Sequence, residues 1–233
     1  MLQTKQLREN LYALDDGMVR AFLFLGKDKA LLIDTGLPGD GVRAAVAALT
    51  DAPVQVLLTH GDGDHSGGVA AFGEAWVHEK DWPMLADRDK LRLHPLKEGD
   101  VFDCGTYRLE VIETPGHTYG SVAFLEREKK LLFSGDSVQK EGPIYMFGAT
   151  RNLDLYIASQ RKLLTRLDQF DTVYPSHHAC PIDPSYIEKD LEDALAMQAG
   201  KLESTPETTM PCRTYRGQWV SFYCDDRVLR GDN

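Results

Sequence analysis

The chain has 233 residues, of which 42% are hydrophobic and 27% charged, so it has an ordinary globular balance and enough length for one large domain with a buried core. Acidic residues number 36 against 26 lysines and arginines, which gives a formal net charge of −10. That sign argues against nucleic acid and against an anionic membrane surface, because both are themselves negatively charged. We therefore expect a single domain over residues 1–233 that has neither kind of partner.

Residues 1–19 lack a basic segment followed by an apolar one, so no secretory signal is recognised, and no apolar run reaches the roughly 18 residues that span a bilayer. These features predict a cytoplasmic protein, in which cysteines normally stay reduced. Cys104, Cys180, Cys212 and Cys224 form no CxxC pair, and four free thiols are expected. Cys212 and Cys224 flank a predicted hairpin, which leaves a pairing across it open.

The predicted elements alternate between strands and helices along the chain. The N-terminal half predicts strands over residues 19–25, 30–34, 54–58 and 75–78 and a helix over residues 39–49. The remainder predicts strands over residues 107–113, 122–125, 130–134 and 172–174, a helix over 154–167, a second helix from Asp183-Pro184 to about residue 201, and a closing hairpin over 213–228.

A segment rich in glycine and aspartate follows the apolar strand that ends at Thr59. It reads THGDGDHSGG and holds four potential metal ligands, which are His60, Asp62, Asp64 and His65. Imidazole nitrogen and carboxylate oxygen suit zinc, iron or manganese, and the interleaved glycines let the chain turn so that the side chains converge. Two carboxylates so close together repel each other unless a cation lies between them. A solvated acidic turn is the alternative interpretation of this segment alone.

Three later segments each place a potential ligand at or just past the C-terminal end of an apolar strand. His117 follows a Pro-Gly turn, Asp136 follows Ser134-Gly135, and His177 follows Pro175-Ser176. Each residue alone is more typical of a structural histidine or of a turn. Together with the first loop, they indicate one metal site whose ligands are held by rigid elements.

On these residues the sequence resembles the metallo-β-lactamase superfamily over nearly the whole chain, and within it the compact hydroxyacylglutathione hydrolase (glyoxalase II-like) branch. The family's H-x-H-x-D-H motif is matched at His60, Asp64 and His65, and its P-G-H-T-x-G-S segment is matched around His117. The G-D segment is matched at Asp136 and the last histidine at His177. The departure is Asp62, which replaces the second histidine of the motif.

The resemblance implies an α/β fold, a four-layer αβ/βα sandwich with two mixed β-sheets flanked by helices. It also implies two divalent metal ions. His60, position 62 and His117 would bind the first ion. Asp64, His65 and His177 would bind the second, Asp136 would bridge them, and His178 is an alternative to His177. Zinc is the ion expected first. Iron and manganese are the alternatives, because the carboxylate oxygen of Asp62 is a harder donor than an imidazole nitrogen. Asp34 would orient ligands by hydrogen bonding or serve as a strand-end turn residue.

The function implied by the resemblance is metal-dependent hydrolysis of a small ester, thioester, lactone or lactam. Bound cations lower the pKa of water from about 15.7 toward 7, so a bridging hydroxide would be available to attack the substrate. Asp64 would orient that hydroxide. Tyr119, Tyr145, Phe147 and Arg151 would line a substrate pocket or pack in the core. The alternatives are an iron-dependent redox enzyme, similar to persulfide dioxygenases or flavodiiron proteins, and a non-catalytic metal-binding sensor. The partner is a small-molecule substrate, and a homodimer is left open.

Overall fold

The computed structural model describes residues 2–231. Its strands are β1 Gln3–Arg8, β2 Leu11–Asp15, β3 Arg20–Leu25, β4 Ala30–Ile33, β5 Val54–Leu57, β6 Glu74–His78, β7 Arg92–Leu96, β8 Val101–Asp103, β9 Arg108–Glu113, β10 Val122–Glu126, β11 Leu131–Gly135, β12 Pro143–Met146, β13 Thr172–Pro175, β14 Glu203–Pro206, β15 Arg213–Arg216 and β16 Ser221–Cys224. Its α-helices are α1 Gly41–Ala47, α2 Gly63–Ser66, α3 Leu153–Leu164, α4 Tyr186–Gln198 and α5 Asp226–Arg230. Short 3-10 helices cover Val69–Ala71, Glu79–Met84, Arg88–Lys90 and Leu167–Gln169.

The chain divides into two compact units, and unit 1 comprises residues 2–112 and 124–128. Its main element is a seven-stranded sheet in the order β1-β2-β3-β4-β5-β6-β7. The strands from β1 to β4 pair antiparallel, and those from β4 to β7 pair parallel. Helix α1 makes the crossover between the parallel strands β4 and β5, and its Val42 and Val46 are buried among side chains of the sheet.

Unit 2 comprises residues 113–123 and 129–231. It contains a four-stranded sheet in the order β12-β16-β15-β14, in which β12 and β16 are parallel and the other neighbours antiparallel. One face of this sheet packs on α3 and α4, where Tyr156 and Ala194 contribute to a shared core with Ile144 and Phe222. Strands β11 and β13 pair parallel elsewhere in the unit.

The α/β class with mixed sheets and helices is confirmed, but the described strands form three sheets where two were predicted. The third has five strands in the order β13-β11-β10-β9-β8. The predicted closing hairpin is present as β15 and β16, and these strands form a separate sheet because β12 and β14 pair with them. Within residues 2–231, no helix combines the length and apolarity needed to cross a bilayer. The single-domain and cytoplasmic assignments stay predictions.

Helix α4 begins later than predicted. Asp183 accepts a hydrogen bond from the Ser185 backbone N–H at 2.8 Å, which forms a turn ahead of the helix, and the helix itself covers Tyr186–Gln198. All four cysteines are free thiols, as expected. Burial raises the pKa of Cys224 to about 12, so this thiol stays protonated and unreactive at neutral pH.

Candidate metal centre

The first group of predicted ligands lies in unit 1, on the loop that leaves β5. Asp62 is the N-cap residue of α2, which holds Asp64 and His65 in its single turn. The loop passes so close to its neighbours that a Cβ atom on Gly61 would lie 2.8 Å from Met84 Cβ. The Gly61 N–H donates to Asp81 Oδ2 at 2.9 Å. Glycine at this position therefore lets the ligand loop lie against the 3-10 helix Glu79–Met84.

Asp34 lies beside this loop because it follows β4, the parallel neighbour of β5. Its fully buried carboxylate accepts a hydrogen bond from His65 Nδ1 at 2.8 Å. It also accepts the Thr59 backbone N–H at 2.7 Å and the Thr59 hydroxyl at 2.8 Å. Asp34 adopts a left-handed φ of 62°, a conformation that Asp tolerates better than most residues. The structure thus places Asp34 in contact with a predicted ligand, as a hydrogen-bond acceptor.

Thr59 extends the contacts of Asp34 to His60. The Thr59 hydroxyl has one proton, which it donates to the Asp34 carboxylate, so its oxygen accepts from His60 Nδ1 at 2.9 Å. With the proton on Nδ1, the Nε2 atoms of His60 and His65 carry their lone pairs. A neutral imidazole in this tautomer is ready to bind a metal ion through Nε2.

The carboxylates of this loop lie near those two Nε2 atoms. Asp62 Oδ2 is 3.4 Å from His60 Nε2, and Asp64 Oδ2 is 3.8 Å from His65 Nε2. These separations exceed the ~2.7–2.9 Å of a charge-assisted hydrogen bond. Two ligands at about 2.0–2.2 Å from one tetrahedral metal ion would be separated by ~3.3–3.6 Å. The 3.4 Å between Asp62 and His60 fits two ligands of a shared ion. The 3.8 Å between Asp64 and His65 is slightly wider than that range.

The second group of predicted ligands lies in unit 2. His117 follows Gly116, whose φ of 142° and close approach to the Tyr156 backbone leave no room for a Cβ atom. His117 Nδ1 donates to the backbone carbonyl of Tyr145 at 2.9 Å. Because a carbonyl only accepts, the proton is on Nδ1 and the lone pair is on Nε2. The third histidine therefore has the same tautomer as the two in unit 1.

Asp136 and His177 follow the parallel strands β11 and β13, whose carboxyl ends meet at one sheet edge. Asp136 Oδ2 lies 3.5 Å from His117 Nε2 and 3.4 Å from His177 Nε2. Both separations match those of ligands that share a metal ion and are longer than hydrogen bonds. One carboxylate oxygen between two imidazole nitrogens is the arrangement that a bridging carboxylate needs.

The segment that carries Asp136 is held by two buried side chains from helices. Asp190 on α4 accepts the Gln139 backbone N–H at 2.9 Å, and the Gln160 side-chain amide on α3 donates to the Ser137 carbonyl at 2.5 Å. Burial raises the pKa of Asp190 well above the ordinary carboxyl range, an effect that the hydrogen bond from Gln139 only partly offsets. Burial and the neighbouring carboxylates likewise raise the pKa of Tyr156, which keeps this phenol neutral.

All seven predicted ligands are candidate metal ligands in the described part of the chain. The donor set consists of four histidine nitrogens and three aspartate carboxylates, a combination that suits zinc, iron and manganese. Three of the histidines have Nδ1 occupied by a hydrogen bond, as expected of metal-binding imidazoles. The residues present therefore fit divalent ions of this class.

The predicted pocket residues have different surroundings. Tyr145 is 40% exposed and Phe147 is half-buried beside it, with ring centroids 5.7 Å apart. Tyr119 is half-buried in the loop after His117, whereas Arg151 is 8% exposed and donates to Thr150 Oγ1.

The histidines outside the motif have local partners. His94 stacks on Trp76 at 4.2 Å, and His78 accepts the Lys80 backbone N–H. The His178 ring lies 6.1 Å from that of His177 and against Gly142. The Nε2 atom of His177 lies 3.4 Å from Asp136 Oδ2, as expected of the ligand favoured by the motif.

Three contributors to the geometry were not predicted from the sequence. Thr59 links Asp34 to His60, and its position directly before the first motif histidine was the available signal. The partner of His117 is a backbone carbonyl, which leaves no trace in residue type. Tyr223 was also missed. It pairs with Tyr145 across strands β12 and β16, and nothing in the local sequence indicates that pairing.

Known proteins resemble this chain in sequence and in fold. Residues 14–202 match the Metallo-beta-lactamase superfamily. A hydroxyacylglutathione hydrolase of Bdellovibrio bacteriovorus is 31% identical over 213 residues, covering 84% of this chain and 81% of that protein. The acyl-coenzyme A thioesterase MBLAC2 of Gallus gallus is 31% identical over 197 residues, covering 67% of this chain and 71% of that protein. The solved structure of a metallo-beta-lactamase from Pontibacter korlensis has a TM-score of 0.71 at 21% identity, covering 84% of this chain and 99% of that one, a likeness of fold alone.

Proposed function

This chain belongs to the metallo-β-lactamase superfamily, and we propose that it is a metal-dependent hydrolase of S-acyl thioesters, like two of its relatives. In this proposal two divalent ions are held by His60, Asp62, Asp64, His65, His117, Asp136 and His177. The observation that carries it is the Asp136 carboxylate, whose Oδ2 lies within 3.5 Å of the Nε2 atoms of both His117 and His177.

Two relatives support the thioester as the scissile group. The hydroxyacylglutathione hydrolase and the acyl-coenzyme A thioesterase are named for acyl groups carried on a thiol, although the two carriers differ. A thioester carbonyl is a good acceptor for an activated water, and a thiolate is a better leaving group than an alkoxide or an amide. Esters, lactones and lactams are the broader class from which this proposal selects.

In the proposed reaction, different residues orient the metal ligands and the attacking water. Asp34, directly and through Thr59, holds His65 and His60 in the tautomer that presents Nε2. The Tyr145 carbonyl does the same for His117. The side chain of Asp64 is 35% exposed, so it is accessible to an attacking water, and in the proposal it orients that water and accepts its proton.

Divalent ions bound by these residues would supply an activated water at neutral pH and would polarise the substrate carbonyl. In the net reaction water adds to the acyl carbon, the carbon–sulfur bond breaks, and the products are a carboxylic acid and a thiol. The thiol leaves with the proton that the water gave up.

Asp62 supports a second candidate function. A carboxylate in place of an imidazole gives the first ion a harder donor and more negative charge, which favours iron or manganese over zinc. An iron-dependent redox enzyme is therefore the alternative proposal, and a metal-binding sensor without turnover is a third. Metal analysis of the purified protein, combined with oxygen consumption, separates the redox alternative from hydrolysis.

The experiment that tests the proposed function measures thiol release from a panel of S-acyl thiols, with esters, lactones and β-lactams as comparisons. The expected result is thioester turnover that ends on chelation and returns on addition of a divalent ion. Asp64→Ala should lower both metal content and turnover, whereas Asp51→Ala, at an exposed position of unit 1, should change neither. Undiminished hydrolysis by metal-stripped Asp64→Ala protein would overturn the proposal.

A further inference from the structure

Three aromatic side chains lie together on the outer face of the four-stranded sheet in unit 2. Tyr145 and Tyr223 are paired residues of β12 and β16, with ring centroids 5.0 Å apart and ring planes at 90°. Phe147 follows the end of β12, 5.7 Å from Tyr145. We call Tyr145, Phe147 and Tyr223 the aromatic face.

The alternation of the two strands explains why these rings are outside the core. Ile144, Met146, Phe222 and Cys224 are fully buried against α3 and α4. The intervening residues must point to the opposite side of the sheet, where Tyr145 remains 40% exposed. Large aromatic side chains grouped on a surface are unfavourable in water, and such patches commonly mark binding sites.

The aromatic face adjoins one of the proposed metal ligands. The backbone carbonyl of Tyr145 accepts the hydrogen bond from His117 Nδ1 at 2.9 Å. The main chain of Tyr145 therefore orients the ligand His117, while its ring belongs to the aromatic face. A group bound on this face would lie close to His117. It would therefore belong to the part of the substrate nearest the reacting carbonyl.

From this placement we infer that the aromatic face binds an apolar acyl group of the thioester, an inference that rests on the proposed function. The acyl chain is joined directly to the reacting carbon, and hydrocarbon gains most from contact with aromatic rings. The thiol carrier is polar and rich in amides near its sulfur in glutathione and in pantetheine. The net charge of −10 also disfavours a face that recognises an anionic carrier.

The test is a series of S-acyl N-acetylcysteamines with acetyl, butanoyl, octanoyl and benzoyl groups, which keeps the thiol constant. In the unmodified protein kcat/KM should rise from acetyl to octanoyl by about 10-fold or more, the scale on which apolar pockets discriminate added methylenes. Tyr223→Ala should remove most of that rise, and Phe147→Ala, which lies outside the strand, provides the same test if the first variant does not fold. Trp219→Leu changes an exposed aromatic residue elsewhere in unit 2 and should retain the rise.

A second measurement does not depend on turnover. The non-hydrolysable thioether S-octyl-N-acetylcysteamine should bind the unmodified protein at least about 10-fold more tightly than the S-ethyl analogue, and Tyr223→Ala should abolish the difference. Turnover with no dependence on acyl length, or an undiminished dependence in Tyr223→Ala, would overturn the inference alone. Absence of hydrolysis for the whole series would overturn the proposed function, and the inference with it.

Discussion

The carboxylate of Asp34 accepts a 2.8 Å hydrogen bond from His65 Nδ1, and both side chains are completely buried. The same carboxylate accepts the Thr59 hydroxyl, whose oxygen accepts from His60. One buried acid thus sets the tautomer of two predicted ligands.

We predict that Asp34→Asn and Thr59→Val each weaken metal binding by about 10–100-fold, the usual effect of removing a hydrogen-bond partner of a metal-binding histidine. Thr59→Val should affect mainly the ion bound through His60, because it leaves the contact between Asp34 and His65 intact. Competition with a calibrated chelator measures both affinities, and Asp51→Asn is the matched control at an exposed position. Unchanged affinity in Asp34→Asn would show that the carboxylate does not tune the site.

Asp62 should determine which metal ion the first site selects. Asp62→His restores the histidine of the family motif and should shift the metal content of the protein toward zinc, because a nitrogen donor replaces an oxygen. Asp62→Ala should lower the content toward about one ion per chain, as a ligand is lost from only one of the two proposed sites. Elemental analysis after expression in a defined medium measures the ratio. Identical metal ratios in all three proteins would exclude Asp62 as a ligand.

Gly61→Ala should destabilise the protein by roughly 1–3 kcal/mol, the usual range for overpacking. The added Cβ atom would lie 2.8 Å from Met84 Cβ and 2.9 Å from the Asp81 carbonyl oxygen, so the ligand loop would have to move. Gly63→Ala is the matched control, because a Cβ atom there meets nothing within 4 Å and the residue is helical. Denaturant unfolding of chelator-treated protein measures both. Equal stabilities of the two variants would contradict the described packing of the loop.

The free energy of unfolding should depend on pH through Asp190. Burial raises the pKa of Asp190 in the folded state. The stability that its protonated carboxyl group contributes is therefore complete below the ordinary carboxyl pKa of about 4, and it is lost as the pH rises through the raised pKa of the folded protein. Asp190→Asn has no proton to lose and keeps an acceptor for the Gln139 N–H. The variant should therefore gain stability relative to the unmodified protein as the pH rises from about 4 toward 8. A difference that is constant or shrinks with pH would contradict the burial of an ionisable Asp190.

The sequence predicted the elements nearest the site well, because strands buried on both faces appear as continuous apolar runs. Residues 30–34 and 54–58 were placed within a residue of β4 and β5, and Asp136 and His177 were correctly placed at strand ends. The ends of neighbouring strands bring side chains together regardless of which residues lie on the surface. The motif places the predicted ligands at these ends, so their identity could be predicted from the sequence.

What the sequence could not predict depends on pairing between distant segments. Strand β12 is only four residues long and β14 is polar, so the separate four-stranded sheet and the contact between Tyr145 and Tyr223 were not predicted. Backbone acceptors, such as the Tyr145 carbonyl, are common to every residue and carry no signal. The raised pKa of Asp190 is likewise a product of burial by the folded chain.

The most direct test of the central claim is thioester hydrolysis by the purified protein, measured with its metal content before chelation, after chelation and after reconstitution. We predict up to two divalent ions per chain, loss of turnover with their removal, and recovery with their return. Asp136→Ala should lose both ions and turnover, since this carboxylate lies within 3.5 Å of two imidazole nitrogens. Full turnover in the metal-free protein, or stoichiometric metal with no thioester hydrolysis, would contradict the account.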